Sequence, residues 1–516
     1  MISWNILLRT NDIILTMGNT KSSGEIFTPK FLVKNMLDFA GYTHGILWKH
    51  VLDNSCGDGA FLAEIVLRYI ENFRQESDNF AQLKNELEIY IHGIEINKTN
   101  FKKCILRLSE IAKNAGIHEK VNWGIRDANA LEVADFDGKM DFVVGNPPYV
   151  RIHNLAKSAK RVREFNLSDS GMTDLYITFY ELGFRELAKN GKLCLITPSS
   201  WLTSKSGAKL REAVMKNREL QKVIDLGHFQ PFDNATTYTF IASFQKDSRN
   251  DNVDFYKYNS LKLAPEFYEK LPYDEIYFDG KLYFNSRKNL AQLRKIRENS
   301  PNTLGQNIKV KNGFATLADK VFIGDFDFGE NSTIPILKAS TGKFAKIIFP
   351  YDRNSRPLRE ADLAKRFPKT YAYLLSQKND LLKRNIANAE NWFLFGRTQA
   401  LNDVYRRKIA INTTIKDVNS IKLREIPAGI GIYSGLYILT DLSFAKIREI
   451  IKSQCFIDYV ASLKKYKSGG YYTFSSDDLK KYLLYNIRES ENNLAKGIDG
   501  QRSVLGSFSE IVPSLS

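Results

Sequence analysis

The sequence has little of what staples or loads small proteins. Only four cysteines occur in 516 residues, Cys56, Cys104, Cys194 and Cys455, and no two form a CxxC pair. Neither a disulfide framework nor a zinc site is indicated, and a reducing cytoplasm is the natural compartment. The six histidines, His44, His50, His92, His118, His153 and His228, show no metal-ligand spacing, so no metal is expected. No apolar run approaches the length that spans a bilayer. The opening MISWNILLRTNDIILTMG is interrupted by Arg9, Asn11 and Asp12 and lacks a small-residue cleavage site, which argues against a signal peptide. Acidic residues are the scarcer charge, 58 against 74 Lys and Arg, for a formal charge of +16. A field of that sign attracts polyanions, and without a basic amphipathic anchor a nucleic acid suits it better than a membrane.

What is present is ordinary globular material, 43% hydrophobic and rather aromatic at 12%, in a chain long enough for two domains. From Gly24 to about Phe244, short apolar runs alternate with amphipathic stretches, the pattern of an α/β doubly wound sheet. Strands are expected at 50–53, 89–94, 121–123, 140–144, 193–196, 222–225 and 238–244, with helices such as 60–73 and 175–187 between them. Residues 1–23 read as a leader, with Met17 as an alternative start, and 24–246 as the first domain. Residues 247–300 lose the rhythm and read as a connecting segment, and 301–516 read as a second domain of mixed α/β type with basic and aromatic residues interleaved.

Residues 51–61, VLDNSCGDGAF, read as a strand, a glycine turn and a helix start. Gly57 and Gly59 let backbone pass close to a ligand that the helix amides face. Alone, the pattern fits a ligand-free turn or a dinucleotide site equally well. Glu95 ends the next strand, where a carboxylate can accept both ribose hydroxyls of an adenosine or simply face solvent. Asp127, in Gly124-Ile125-Arg126-Asp127-Ala128, can accept from the amino group of an adenine ring or serve as a turn residue. Three acids at successive strand ends carry weight together, because carboxyl ends of parallel strands line one crevice.

Gly145-Asn146-Pro147-Pro148-Tyr149 follows the apolar strand at 140–144 directly. Two prolines after a buried strand make a stiff, donor-poor turn that can aim a side chain. The exocyclic amine of adenine is a poor nucleophile because its lone pair is delocalised into the ring. The Asn146 side-chain oxygen and the Pro147 carbonyl can both accept from that amine and expose its lone pair to an electrophilic methyl group. Tyr149 offers a flat face on which an extruded base can stack.

These motifs, in this order, resemble the gamma-class N6-adenine DNA methyltransferases of the TaqI type, modification enzymes of type II restriction systems. The resemblance begins at Gly24-Glu25-Ile26-Phe27-Thr28-Pro29 and continues through Asp53, Ser55 and Gly57, Glu95, Asp127, and Asn146 to Tyr149. It extends over Thr173-Asp174-Leu175-Tyr176 and Asn190 to Leu202. It implies a Rossmann-like methyltransferase sheet binding S-adenosyl-L-methionine through Thr28, Pro29, Asp53, Ser55, Gly57, Glu95, Asp127 and Asn146. It implies catalysis by Asn146, Pro147, Pro148 and Tyr149. Within Leu226 to Tyr238 the family places a second aromatic opposite Tyr149 on the flipped base. Counting back from Phe244 selects Phe232, with Tyr238 as the fallback.

The second half matches more loosely, at Asn312 to Leu317, Val321 to Gly324 and Ser468 to Phe474, pieces similar to the family's target-recognition domain. Around them lie Arg353, Arg356, Arg359, Lys365, Arg366, Trp392, Phe393, Arg397, Arg406, Arg407 and Lys408, a mixture that suits phosphate anchoring and groove reading or, residue by residue, a solvated basic face. The implied partner is double-stranded DNA, with a separate restriction endonuclease as companion and a monomer as the acting form. The same NPPY site also serves enzymes that methylate structured RNA or protein glutamine. A DNA-binding subunit that has lost catalysis is a further alternative, against which the intact Asn146 to Tyr149 argues. A cytosine C5 mechanism needs a thiol after proline, and none of the four cysteines follows one.

Overall fold

Pro29, at φ −58° and ψ 144°, cannot donate to a helix and opens one instead: α1 (Lys30–Ala40), which ends at Gly41 in the left-handed region, φ 81°. Leu32, Val33, Met36 and Leu37 form its buried stripe. The computed structural model describes residues 28–155, 159–232, 237–298, 308–386 and 388–490. The expected leader and Gly24 to Phe27 lie outside them.

The chain then runs β1 (Val51–Asp53), α2 (Ala60–Glu76), α3 (Phe80–Tyr90), β2 (Ile91–Glu95), α4 (Lys98–Asn114), β3 (Gly124–Asp127), β4 (Met140–Gly145), α5 (Ala159–Val162) and α6 (Leu175–Glu186). It continues through β5 (Leu187–Pro198), α7 (Ala208–Asn217), β6 (Leu220–Asp225), β7 (Thr239–Gln245), β8 (Asn252–Asn259) and β9 (Ala264–Pro272). All nine strands form one sheet in the order β3-β2-β1-β4-β5-β7-β6-β8-β9. The five from β3 to β5 are mutually parallel, and β7 is antiparallel to both its neighbours. The expected α/β doubly wound sheet is therefore present. The chain steps outward from β1 to β3 and returns to β4 on the other side of β1. This reversal opens a crevice at the carboxyl ends of β1 and β4, where open α/β sheets bind ligands.

Three expectations need correction. The third strand is not 121–123 but Gly124–Asp127. Val121 and Trp123 are buried packing residues before it, and the strand itself lies at the sheet edge, where Arg126 and Asp127 face solvent. The strand expected at 193–196 begins earlier, because Leu187 already pairs with Met140 across a bulge. The segment 247–300 is not a plain connection, since β8 pairs with β6 and β9 with β8. Their Tyr, Phe and Lys content reflects strands exposed on one face.

A histidine pair joins β2 to the residue before β1: His50 Nδ1 and His92 Nε2 lie 3.0 Å apart, with the rings stacked. Burial, then the neighbouring His50 and Arg126, lowers the His92 pKa from 6.5 to about 4. Unfolding in that interval takes up a proton, so this contribution to stability is complete above pH 6.5 and lost as pH falls towards 4. The melting temperature should drop between neutral pH and pH 5, and His92→Gln should narrow that difference. An unchanged difference in the variant would assign the acid sensitivity elsewhere.

The described residues divide into two compact units, up to Phe284 and from Asn285. The second contains two four-stranded sheets and one three-stranded sheet. Its core is built on Phe314, Phe322, Phe349, Trp392, Phe395 and Tyr437. Buried Asp478 accepts from Arg297 Nη1 at 2.7 Å and from the Ser475 amide at 2.8 Å, tying the helix Arg287–Glu298 to the far end of this unit. Ser468 to Phe474 supplies a hairpin turn, with Gly469 and Gly470 at φ 75° and 78°. No helix among the described residues is long and apolar enough to cross a membrane.

Candidate active site

The register of the sheet assembles the site. Leu52 lies opposite Val143, Asp53 opposite Gly93, and Glu95 opposite Asp127. The segments that leave β1, β2, β3 and β4 therefore start side by side, although Thr28 and Asn146 are 118 positions apart.

Gly57 and Gly59 hold φ 56° and 87° in the turn between β1 and α2, values that L side chains rarely adopt. A Cβ at Gly59 would meet Cys104 Sγ at 2.7 Å, whereas one at Gly57 would meet nothing within 4 Å. The turn is packed from behind and open in front. Glu95 is 8% exposed and clamps it: one carboxylate oxygen accepts from the Gly57 amide at 2.8 Å and the other from the Asn97 amide at 2.7 Å. Asn97 in turn caps α4. Asp53, 1% exposed, accepts from the Ser55 amide at 3.1 Å. Burial, reinforced by the charge of Glu95 and opposed by the Ser55 amide, raises its pKa to about 7. Gly145 must be glycine here, because a Cβ would stand 2.7 Å from Asp53 Oδ1.

Asn146 leaves β4 beside this turn. Its Nδ2 donates to Thr28 Oγ1 at 3.2 Å, which directs Oδ1 to the other side of the amide, and its carbonyl accepts from Ser55 Oγ at 3.4 Å. Pro147 is buried and Pro148 half-buried. Tyr149 donates to the Ile196 carbonyl at 3.0 Å, and its ring meets Tyr176 edge-on at 6.2 Å. Burial pushes its phenol well above the usual range. The following segment is stapled down, with Leu175 N donating to Val150 O at 2.8 Å and Ile152 N to Thr173 O at 3.1 Å. Behind it, Tyr180 pairs with Thr197 at 2.9 Å and Tyr176 with Ser200 at 3.1 Å.

Thr28, Asp53, Ser55, Gly57, Glu95 and Asn146 thus form one connected set, with Pro29 opening α1 next to Thr28 and Asp127 exposed at the neighbouring strand end. Phe232 is 5% exposed and belongs to the apolar core, and Tyr238 is half-buried, edge-on to His228 at 6.1 Å. Residues 233–236 lie outside the described set. Tyr176, Ile196 and Asn54 lie within the quoted motifs but were given no role there, and Glu186 lies in none of them.

The donor set discriminates between cofactors. A pyrophosphate at this glycine turn would meet the carboxylates of Asp53 and Glu95, which are near enough for Glu95 to raise the Asp53 pKa, and this disfavours a dinucleotide. A cationic sulfonium with ribose hydroxyls and no phosphate suits the same acceptors. Residues 47–232 match the Eco57I restriction-modification methylase family. The family-level resemblance holds, and the cofactor is S-adenosyl-L-methionine. The type II methyltransferase M.PaeR7I of Pseudomonas aeruginosa is 25% identical over 75% of this chain and 73% of its own length. The restriction enzyme and methyltransferase RM.Eco57I of Escherichia coli is 25% identical over 73% of this chain, which spans 48% of that longer protein. Among solved structures, the type IIL restriction-modification enzyme MmeI in complex with DNA has a similar fold, with TM-score 0.61 at 14% identity, over 87% of this chain and 63% of its own.

In the second unit, Trp392, Phe393 and Lys408 are not the surface residues expected. Both aromatics are core, and Lys408 is buried, donating to the carbonyls of Val404 and Ile430 at 2.9 and 3.0 Å. Arg353, Arg356, Lys365, Arg366 and Arg397 are exposed. A cleft of about 310 Å³ is lined by Asn312, Ser340, Asn412, Thr413, Thr414, Ser434 and Gly435, amides and hydroxyls without a carboxylate or a large apolar side chain.

Proposed function

We propose that this protein is a site-specific DNA methyltransferase that moves a methyl group from S-adenosyl-L-methionine to adenine N6 in a short double-stranded sequence, after rotating the base out of the helix. The observation that carries the reading is Asn146 at the end of β4, tied to Thr28 beside the glycine turn and followed by a proline-stiffened turn into Tyr149. When bound, S-adenosyl-L-methionine supplies an electrophilic methyl group. The Asn146 amide oxygen and the Pro147 carbonyl accept from the N6 amine and orient its lone pair. Thr28, Pro29, Asp53, Ser55, Gly57, Glu95 and Asp127 hold the cofactor, with Asn146 beside its methyl group. Positioning and electrostatics carry the reaction, without an obligatory general base. The test is to incubate the protein with labelled S-adenosyl-L-methionine and plasmid DNA, total RNA or protein extract, then identify the labelled unit. Label in N6-methyladenine supports the reading, whereas label only in RNA or in protein glutamine would replace it.

Tyr149 is the stacking face for the extruded base, with Phe232 on the opposite side. Tyr149→Ala should reduce kcat/KM by about 5- to 150-fold, the equivalent of ~1–3 kcal/mol of stacking. Tyr149→Phe keeps the ring, loses the bond to Ile196, and should cost only about 2- to 12-fold. Equal losses would make the phenol, not the ring, the working group. Phe232 is buried, so Phe232→Leu, which limits cavity formation, is the fair variant; an unchanged rate there moves the role to Tyr238.

The second unit reads the sequence, and the amide and hydroxyl cleft at Asn312, Ser340, Thr413 and Ser434 is our candidate for base-edge contacts. The exposed arginines supply phosphate contacts. Asn312→Ala should relax specificity at one position of the site, while Arg356→Ala should weaken binding to all sequences and flatten the salt dependence. Salt-dependent binding isotherms on cognate and substituted duplexes separate the two, and identical behaviour of both variants would dismiss the cleft. The enzyme acts as a monomer on one strand at a time, accompanied by a separate endonuclease that its product resists.

A further inference from the structure

Beneath the glycine turn lies a polar pair that neither apolar packing nor the transfer chemistry requires. Asn54 follows Asp53 in the loop that leaves β1, and Glu186 ends α6; both are 1% exposed. Asn54 Nδ2 donates to Glu186 Oε2 at 2.8 Å. The other two heteroatoms, Asn54 Oδ1 and Glu186 Oε1, are buried among the described residues without a hydrogen-bond partner. With Glu186 ionised, both of these atoms are acceptors, and each lacks a donor at a depth where unsatisfied polar atoms are rare. One proton on Oε1 satisfies both, because it turns the carboxylate into a donor for Asn54 Oδ1. An amide and a carboxylic acid then engage at both ends.

We infer that Glu186 is a positioning residue carried as the neutral acid, its hydroxyl donating to Asn54 Oδ1, and that this reciprocal pair holds the loop at residues 53–57 in the shape that receives S-adenosyl-L-methionine. The inference rests on the cofactor role of that loop. The surroundings agree with it. Burial raises the Glu186 pKa to about 8, helped by Asp137 and Asp53 and opposed by Asn54 and Arg185. Arg185 is engaged by Asp137 at 2.9 Å, and Lys246 spends its ammonium on the carbonyls of Phe184 and Leu187 at 2.9 and 2.6 Å. The binding form is the protonated one, so cofactor affinity is full at neutral pH and falls as pH rises through about 8.

The experiment is isothermal titration of the full chain with S-adenosyl-L-methionine from about pH 7 to about pH 9, where Glu186 changes charge. Glu186→Gln presents a donor to Asn54 Oδ1 and an acceptor to Nδ2 and cannot titrate there. It should bind within about threefold of wild type at neutral pH and lose the alkaline decline. Glu186→Leu leaves Asn54 without either partner and should raise the Kd and the KM for the cofactor about tenfold or more, with a smaller change in kcat. An alkaline decline that persists in Glu186→Gln overturns the proposal, as does wild-type affinity in a folded Glu186→Leu. If the leucine variant does not fold, the pH profile of the glutamine variant decides. A wild-type protein that binds no cofactor at any pH overturns the reading of the loop instead.

Discussion

Asn146→Ala should lose methyl transfer by about 10²- to 10³-fold, the loss that follows removal of one preorganised polar group from a transition state, while the protein stays folded. The side chain is half-buried and donates to Thr28 Oγ1 at 3.2 Å, a modest bond to lose, so the variant should melt close to wild type. The kinetic loss is large because the amide acts where charge develops: the N6 amine becomes cationic as its lone pair is drawn out, and an aimed carbonyl oxygen stabilises that form more than the planar ground state. Asn146→Asp keeps acceptor oxygens and forfeits the donor to Thr28, so it should retain more activity than the alanine variant. Thr28→Val leaves the amide in place without its orienting acceptor and should cost about tenfold or less. Single-turnover transfer of labelled methyl to a cognate duplex gives the rates, and thermal melts with S-adenosylhomocysteine report folding and cofactor binding. Full activity in Asn146→Ala would sink the mechanism, and failure to bind S-adenosylhomocysteine would move Asn146 from chemistry to the cofactor site.

The parts of this site that could be read from the sequence are those whose geometry is local. Gly57 and Gly59 announce a tight turn because few other residues adopt their φ, and Pro147 and Pro148 announce a rigid one. Alternating apolar runs located the central strands, which are buried on both faces. The edge strands were harder for the converse reason. At Gly124–Asp127, half the side chains face solvent, while the apolar residues that drew attention, Val121 and Trp123, plug the core beside it. Strands β8 and β9 mix charge with Tyr and Phe, as a solvated outer hairpin does. Composition cannot tell a phosphate-binding lysine from Lys408, whose ammonium is consumed by two carbonyls inside the second unit. Nor can it pair Asn54 with Glu186, 132 positions away, since neither residue carries a local signal.

Glu95→Gln is the second substitution expected to have a large effect, although it barely changes shape. Both carboxylate oxygens accept backbone amides, from Gly57 at 2.8 Å and from Asn97 at 2.7 Å. A carboxylate offers about four lone-pair sites, more than the two backbone amides use. A glutamine has one oxygen, and whichever way its amide is turned, an N–H then faces another N–H donor. Leaving a buried donor unsatisfied costs ~1–3 kcal/mol, or about 5- to 150-fold in an equilibrium constant. That loss should appear first in the Kd for S-adenosyl-L-methionine, because the Gly57 turn is what the clamp shapes, and as a smaller fall in melting temperature. Removing the charge also removes one of the influences that raise the Asp53 pKa, so Asp53 should titrate below about 7 in the variant. Glu95→Ala abandons both amides without opposing them with a donor and leaves room for water, so it should bind the cofactor no worse than the glutamine variant. Calorimetric titration of the two variants gives the order. Wild-type affinity in Glu95→Gln would mean that the carboxylate neither shapes the turn nor receives the ribose, and the acid at the end of β2 would lose its place in the cofactor site.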